Sequence, residues 1–79
     1  MISEDEIRYV KTMLRHLPKG REMTVNDIRN KFIEKMKIQA SPESITAIMK
    51  TAVKLERAVR DEVRDGNRGY KETTYTRVV

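Results

Sequence analysis

The chain has no cysteine and a single histidine, His16. Neither a disulfide framework nor a thiolate metal site can form, and a zinc site would need three carboxylates beside that one imidazole at spacings the chain does not offer. Tryptophan is absent and phenylalanine occurs once, so the core must be built mostly of Ile, Val, Leu and Met. The five methionines fit as filler in such a core. No apolar run approaches a membrane span, and the N-terminus lacks the hydrophobic stretch of a signal peptide. A cytoplasmic (intracellular) protein is the expectation. A Ser-His-Asp set, a glycine-rich phosphate loop and a nucleotide fingerprint are missing too. Catalysis is therefore not expected, no cofactor or small-molecule ligand is implied, and His16, late in a first helix, is expected to be exposed.

What the chain has is charge. Its 79 residues carry 17 Lys and Arg against 12 Asp and Glu, a formal net charge of +5. That length is one unit, spanning 1–79, and the balance favours a polyanionic partner: nucleic acid or an acidic protein surface. The cations are spread, nine in residues 1–40 and eight in 41–79. Any basic patch must be made by folding.

Ser3-Glu4-Asp5-Glu6 has the capping-box pattern, with Ile2 and Ile7 placed as a staple across it. Ile7, Val10, Leu14 and Leu17 then mark one face of a first helix, about 4–17, which Pro18-Lys19-Gly20 ends. Arg21-Glu22-Met23 is a short, potentially extended connection. Thr24 caps a second helix, about 24–36, with Asp27 in the acidic box position and Met23 and Ile28 as its staple. Ile28, Phe32 and Met36 mark its buried face. Lys37-Ile38-Gln39-Ala40 is short enough to force a helical corner, with Ile38 expected to plug the core.

The stretch Ser41 to Arg57 organises the rest. Ser41 serves as N-cap and Pro42 stands at the first helical position, where a missing N–H costs nothing. Ile45, Ile48, Ala52 and Leu55 recur on one face of a third helix, about 42–57. The opposite face carries Thr46, Ala47, Lys50, Thr51, Lys54 and Arg57. Short polar groups followed by cations suit a major groove, and equally an ordinary solvated helix face.

Val59 and Val63 fit either a continued helix, to about residue 63, or alternate positions of a strand. The turn chemistry of Asp65-Gly66-Asn67-Arg68-Gly69 and the Thr, Tyr and Val content of 70–79 select a hairpin, 58–64 with 70–78. Alternating charges on the two segments could face each other across it. Tyr70 and Tyr75 are expected to pack the hairpin onto the helices.

Helix, short extended piece, helix, tight corner, helix, hairpin with a glycine-rich tip: this order resembles the winged helix-turn-helix domain, an α+β fold, over nearly the whole chain. Ser41-Pro42 through Arg60, and Met23-Thr24-Val25-Asn26-Asp27-Ile28, resemble the corresponding segments of MarR-like and related small regulators. The glycine that usually separates recognition helix from wing is absent near Arg57-Ala58, and so are the extra terminal helices with which MarR-like proteins dimerise. The resemblance implies a sequence-specific double-stranded DNA-binding protein, a transcriptional regulator, with the third helix in the major groove. Ser44, Thr46, Ala47, Lys50, Thr51 and Lys54 would face base edges and phosphates. Arg57 and Arg60 would hold phosphates, against the alternative of pairing with Asp61 or Glu62. Asn67 and Arg68 at the tip, with Lys71 behind, would reach the minor groove or backbone. A homodimer through the first helix or the C-terminal strand is expected. The alternative is a winged-helix interaction module whose basic helix binds an acidic protein surface.

Overall fold

A computed structural model describes residues 2–64 and 71–79, the side chains of Arg64 and Lys71 apart. The turn 65–69 and Tyr70, read from sequence as the hairpin tip, lie outside the described residues. The order of elements is α1 (Glu4–Leu14), β1 (Glu22–Thr24), α2 (Val25–Met36), α3 (Pro42–Lys54), β2 (Ala58–Arg64) and β3 (Lys71–Arg77). None of the described helices is long and apolar enough to cross a membrane.

Each helix starts where its cap stands. Ser3 Oγ accepts the Glu6 amide at 3.2 Å, and Ser41 Oγ accepts that of Ser44 at 3.2 Å. Thr24 and Asp27 form a complete capping box: Thr24 Oγ1 takes the Asp27 amide and Asp27 Oδ2 takes the Thr24 amide, both at 3.1 Å. These oxygens satisfy donors that have no partner inside a helix.

The ends depart from expectation. The first α-helix stops at Leu14, not near residue 17. Residues 15–17 wind on more tightly, with the His16 amide on the Met13 carbonyl and the Leu17 amide on that of Leu14. Pro18 explains this, since its ring disfavours α geometry at the residue before it. Leu17 stays in the core at 3% exposure.

The third helix ends at Lys54, three residues short of Arg57. The Glu56 amide bonds to Val53 O and the Arg57 amide to Ala52 O, with Glu56 at φ 59°. This is a Schellman close, and Glu56 holds the left-handed position usually given to glycine. The wing can therefore begin at Ala58 without the glycine found in the regulators the chain resembles. Helix α2 ends in the same left-handed region, on Lys37 at φ 57°.

The sheet is larger than a hairpin. β2 pairs with β3 from Ala58↔Arg77 to Arg64↔Lys71, and the second strand ends at Arg77, one residue before the 78 expected from sequence. β1 pairs with the other side of β3, Met23 opposite Tyr75, giving the order β1-β3-β2. Burial drives this third strand: Met23 and Tyr75 are 5% and 2% exposed. Gly20, at φ 80°, turns the chain into β1 and donates its amide to Arg77 O at 2.7 Å.

One core joins all six elements, with Val10, Leu14, Ile28, Phe32, Ile45, Met49 and Tyr75 among its members. Ile38 is not in it. At 40% exposure it faces out of the α2–α3 corner, and Ala40 and Met36 pack there instead. Left-handed Lys37 reverses the chain ahead of Ile38, and Arg29 Nε ties the far side of the corner by donating to Ala40 O at 3.1 Å.

Candidate functional site

The core fixes the orientation of α3. Ile45, Ile48, Met49 and Ala52 are buried, so the opposite side of the helix must face outwards. Glu43, Ala47, Lys50 and Lys54 form that exposed ridge, at steps of three and four residues. Ser44 and Thr51 flank it towards α1. With Glu6, Tyr9 and Ala47 they line a cleft of about 280 Å³. Thr46 flanks the ridge on its other side, against Pro42, Glu43, Ala47 and Lys50. Six of the residues expected at a partner thus lie on one surface: Ser44, Thr46, Ala47, Lys50, Thr51 and Lys54.

Their hydroxyls are partly committed. Thr46 Oγ1 donates to Pro42 O at 2.9 Å and Thr51 Oγ1 to Ala47 O at 3.1 Å. Each keeps acceptor lone pairs and a methyl group. Ser44 Oγ lies 3.0 Å from the capping oxygen, Ser41 Oγ. The front of α3 therefore offers acceptors and methyls along its middle, and ammonium donors at Lys50 and Lys54.

Sequence reasoning missed three neighbours. Asn26 and Arg29 of α2 meet Pro42 at the start of α3 and Glu72 and Thr73 of the wing, around a cleft of about 390 Å³. Tyr9 of α1, 52% exposed, stands beside Ala47 and Thr51. Each comes from another element, and no local pattern in the chain brings them to α3. The staple and caps did indicate that Asn26 sits in the first turn of α2, which was the one available signal.

Of the remaining expected residues, the described Arg57 and Arg60 do not join this surface. Arg57 follows the left-handed Glu56 off the helix. It is half-buried, its carbonyl accepts the Val78 amide, and it lines a separate cavity of about 270 Å³ with Lys11, Leu14, Arg15, Arg77 and Val79. Arg77 is anchored there, with Nε on Val79 O at 2.6 Å and Nη1 on Leu17 O at 2.8 Å. Arg60 pairs with Glu62 at 3.0 Å, the alternative left open from sequence. Lys71 opens β3 opposite Arg64, but its side chain, Asn67 and Arg68 lie outside the described residues.

Charge is divided accordingly. Around the α3 front Lys50 shares a cleft with Glu43 and Arg29 shares one with Glu72, while Glu6 lines the cleft towards α1. The cavity by Arg57 gathers four cationic side chains and no acidic one. Among the described residues no group of acidic or histidine side chains could hold a metal ion.

No family model matches the chain, and no curated protein matches it. Among solved structures, the crystal structure of a Thermoplasma acidophilum protein described as a "putative transcriptional regulator" is similar, with a TM-score of 0.63 at 19% identity. The match covers 92% of this chain and 64% of that one, so the chain spans less than two thirds of the protein it resembles. The likeness shows the fold. It is winged-helix-like, α+β, with three helices and a three-stranded antiparallel sheet among the described residues.

Proposed function

We propose that the chain is a sequence-specific double-stranded DNA-binding protein acting in transcription regulation, of the kind of the small MarR-like regulators. The observation that carries the proposal is the ridge of α3. Its side chains are short at Ser44, Ala47 and Thr51, it stands clear of the core, and it ends in Lys50 and Lys54. A helix of that profile enters a major groove about 12 Å wide without steric obstruction. The net charge of +5 and the neighbour's description as a regulator support the same reading.

In this mode Lys50 and Lys54 meet phosphates or guanine edges. Thr46 and Thr51, whose protons are held by the helix, accept from the amino groups of adenine or cytosine. Ala47 and the threonine methyls pack on thymine methyls. Tyr9 and Asn26 reach the sugar-phosphate chain on either flank, and the tip residues Asn67 and Arg68 take the minor groove or backbone beyond.

Binding to a mixed-sequence duplex, followed by fluorescence anisotropy at several salt concentrations, tests the proposal. Lys54→Ala is expected to weaken binding and to reduce the log–log salt slope by about one. Unchanged affinity and slope would remove α3 from the interface. The second reading is an interaction module for an acidic protein surface, and one observation favours it: Glu6, Glu43 and Glu72 around the ridge would oppose phosphates. Absence of any salt-sensitive binding at low ionic strength would select that reading.

A further inference from the structure

Strand β2 pairs with β3 along one side, and along its other side no strand is placed among the described residues. A free edge is a template for another strand. On this edge the run Val59-Arg60-Asp61-Glu62-Val63 is its own complement when reversed. We propose that this edge docks a second copy of the chain, antiparallel, about a two-fold axis through Asp61. The interface is isologous, as such an axis requires.

The pairing follows residue by residue. Arg60 stands opposite the second copy's Glu62, and Glu62 opposite the second copy's Arg60. Val59 stands opposite the second copy's Val63, and the reverse. Val59 and Val63 are 51% and 41% exposed in the single chain, so each gains cover. Arg60 and Glu62 lie on the same side of the strand, 3.0 Å apart within one chain. In the pair the two copies exchange their two intrachain contacts for two equivalent contacts across the axis. Sliding the register by two residues either way sets Arg60 against Arg60, or Glu62 against Glu62, and a valine against Asp61. Sliding it by one turns every side chain to the other face. A single register satisfies both the charges and the valines.

The backbone agrees with this register. The Glu62 amide donates to its neighbour Asp61 Oδ1 at 2.8 Å, which places that amide on the free edge instead of in the β3 ladder. Alternate residues turn their N–H and C=O to the same side, so Arg60 and Glu62 both present hydrogen-bonding groups outward. About an axis through Asp61 these two residues form the hydrogen-bonded pairs. The valines take the closer, non-hydrogen-bonded positions, where side chains meet best. Asp61 itself limits the association. Its carboxylate must release the Glu62 amide and then face the second copy's Asp61, a like-charge contact. The edge is thus selective for its own complement and resists longer, indiscriminate strand addition.

A charge-exchange experiment tests this without DNA, so its failure leaves the DNA reading standing. Sedimentation equilibrium over a concentration series is expected to show a reversible monomer–dimer equilibrium. Arg60→Glu and Glu62→Arg each set like charges across the axis twice, and each is expected to weaken dimerisation about tenfold. An equimolar mixture of the two variants restores opposite charges, so a heterodimer at least as tight as the original homodimer is expected. That rescue also shows both variants to be folded, and circular dichroism melting confirms it independently. Asp61→Asn, which keeps an acceptor for the Glu62 amide, is expected to tighten the dimer a few-fold. A chain that stays monomeric at millimolar concentration overturns the proposal. A mixture no tighter than either variant alone also overturns it, by placing any dimer on another surface or the edge with a foreign strand.

Discussion

Helix α3 and strand β2 are neighbours in the chain and are held by opposite means. α3 is fixed by its side chains, with Ile45, Ile48, Met49 and Ala52 between 0 and 7% exposed. β2 contributes Ala58 to the core, and its next five side chains are exposed; its place is set by the backbone ladder to β3. The difference teaches where each element is free to carry function. On α3 only the outer ridge can vary, but its position relative to the core is rigid. On β2 almost every side chain can vary, and recognition must come from the edge and from charge.

The comparison breaks most directly at Ile45. Ile45→Ala leaves a cavity under α3 and is expected to cost about 2–5 kcal/mol, a large share of the stability of a small protein. Val59→Ala on β2 is expected to stay within about 0.5 kcal/mol when measured on dilute protein. Urea unfolding of the two variants side by side decides the matter. Equal losses would mean that β2 is held by side-chain packing after all.

The same contrast explains what could be read from the sequence. The buried stripe of α3 and the caps at Ser41 and Thr24 are local signals, spaced by the helix itself, and they placed the helix starts to within a residue. β1 has no such signal. The extended piece expected at Arg21-Glu22-Met23 becomes a sheet strand because Met23 meets Tyr75, some fifty positions away, and nothing near Met23 announces that partner. Leu17 fits a helical stripe and a tighter turn equally well, so the end of α1 was not legible. The end of α3 was hidden because Glu56 occupies a conformation that points to glycine. For the site, the α3 ridge followed from the buried stripe by elimination. Tyr9, Asn26 and Arg29 did not follow, because tertiary packing alone brings them there.

A second test sharpens the account of the sheet. Thr74 lies in the middle of β3, between Thr24 and Asp61. It is 4% exposed, and its Oγ1 has no hydrogen-bond partner among the described residues. A buried hydroxyl without a partner opposes folding, and Thr74→Val removes it at nearly constant shape. A gain of about 1 kcal/mol is expected, seen as a higher urea midpoint at unchanged slope. A loss would show that the hydroxyl is bonded in solution and that the centre of the sheet depends on it.

A smaller gain in stability is expected at the junction of the two elements. Glu56 pays twice for its place. Left-handed geometry costs a residue with a Cβ about 1–2 kcal/mol, and a carboxylate at a helix C-terminus faces the negative end of the dipole, for a few tenths of a kcal/mol more at an exposed site. Glu56→Gly relieves both, while the greater freedom of glycine in the unfolded chain returns about 0.5–1 kcal/mol. A net gain of about 0.5–1 kcal/mol is expected in thermal or urea unfolding. Glu56→Ala relieves only the charge, so the difference between the two variants isolates the backbone. If Glu56→Gly falls below Glu56→Ala by about 0.5–1 kcal/mol, the close at Ala52, Val53 and Glu56 carries no strain. The missing glycine would then cost the winged-helix fold nothing, and α3 would hand over to β2 through its hydrogen bonds alone.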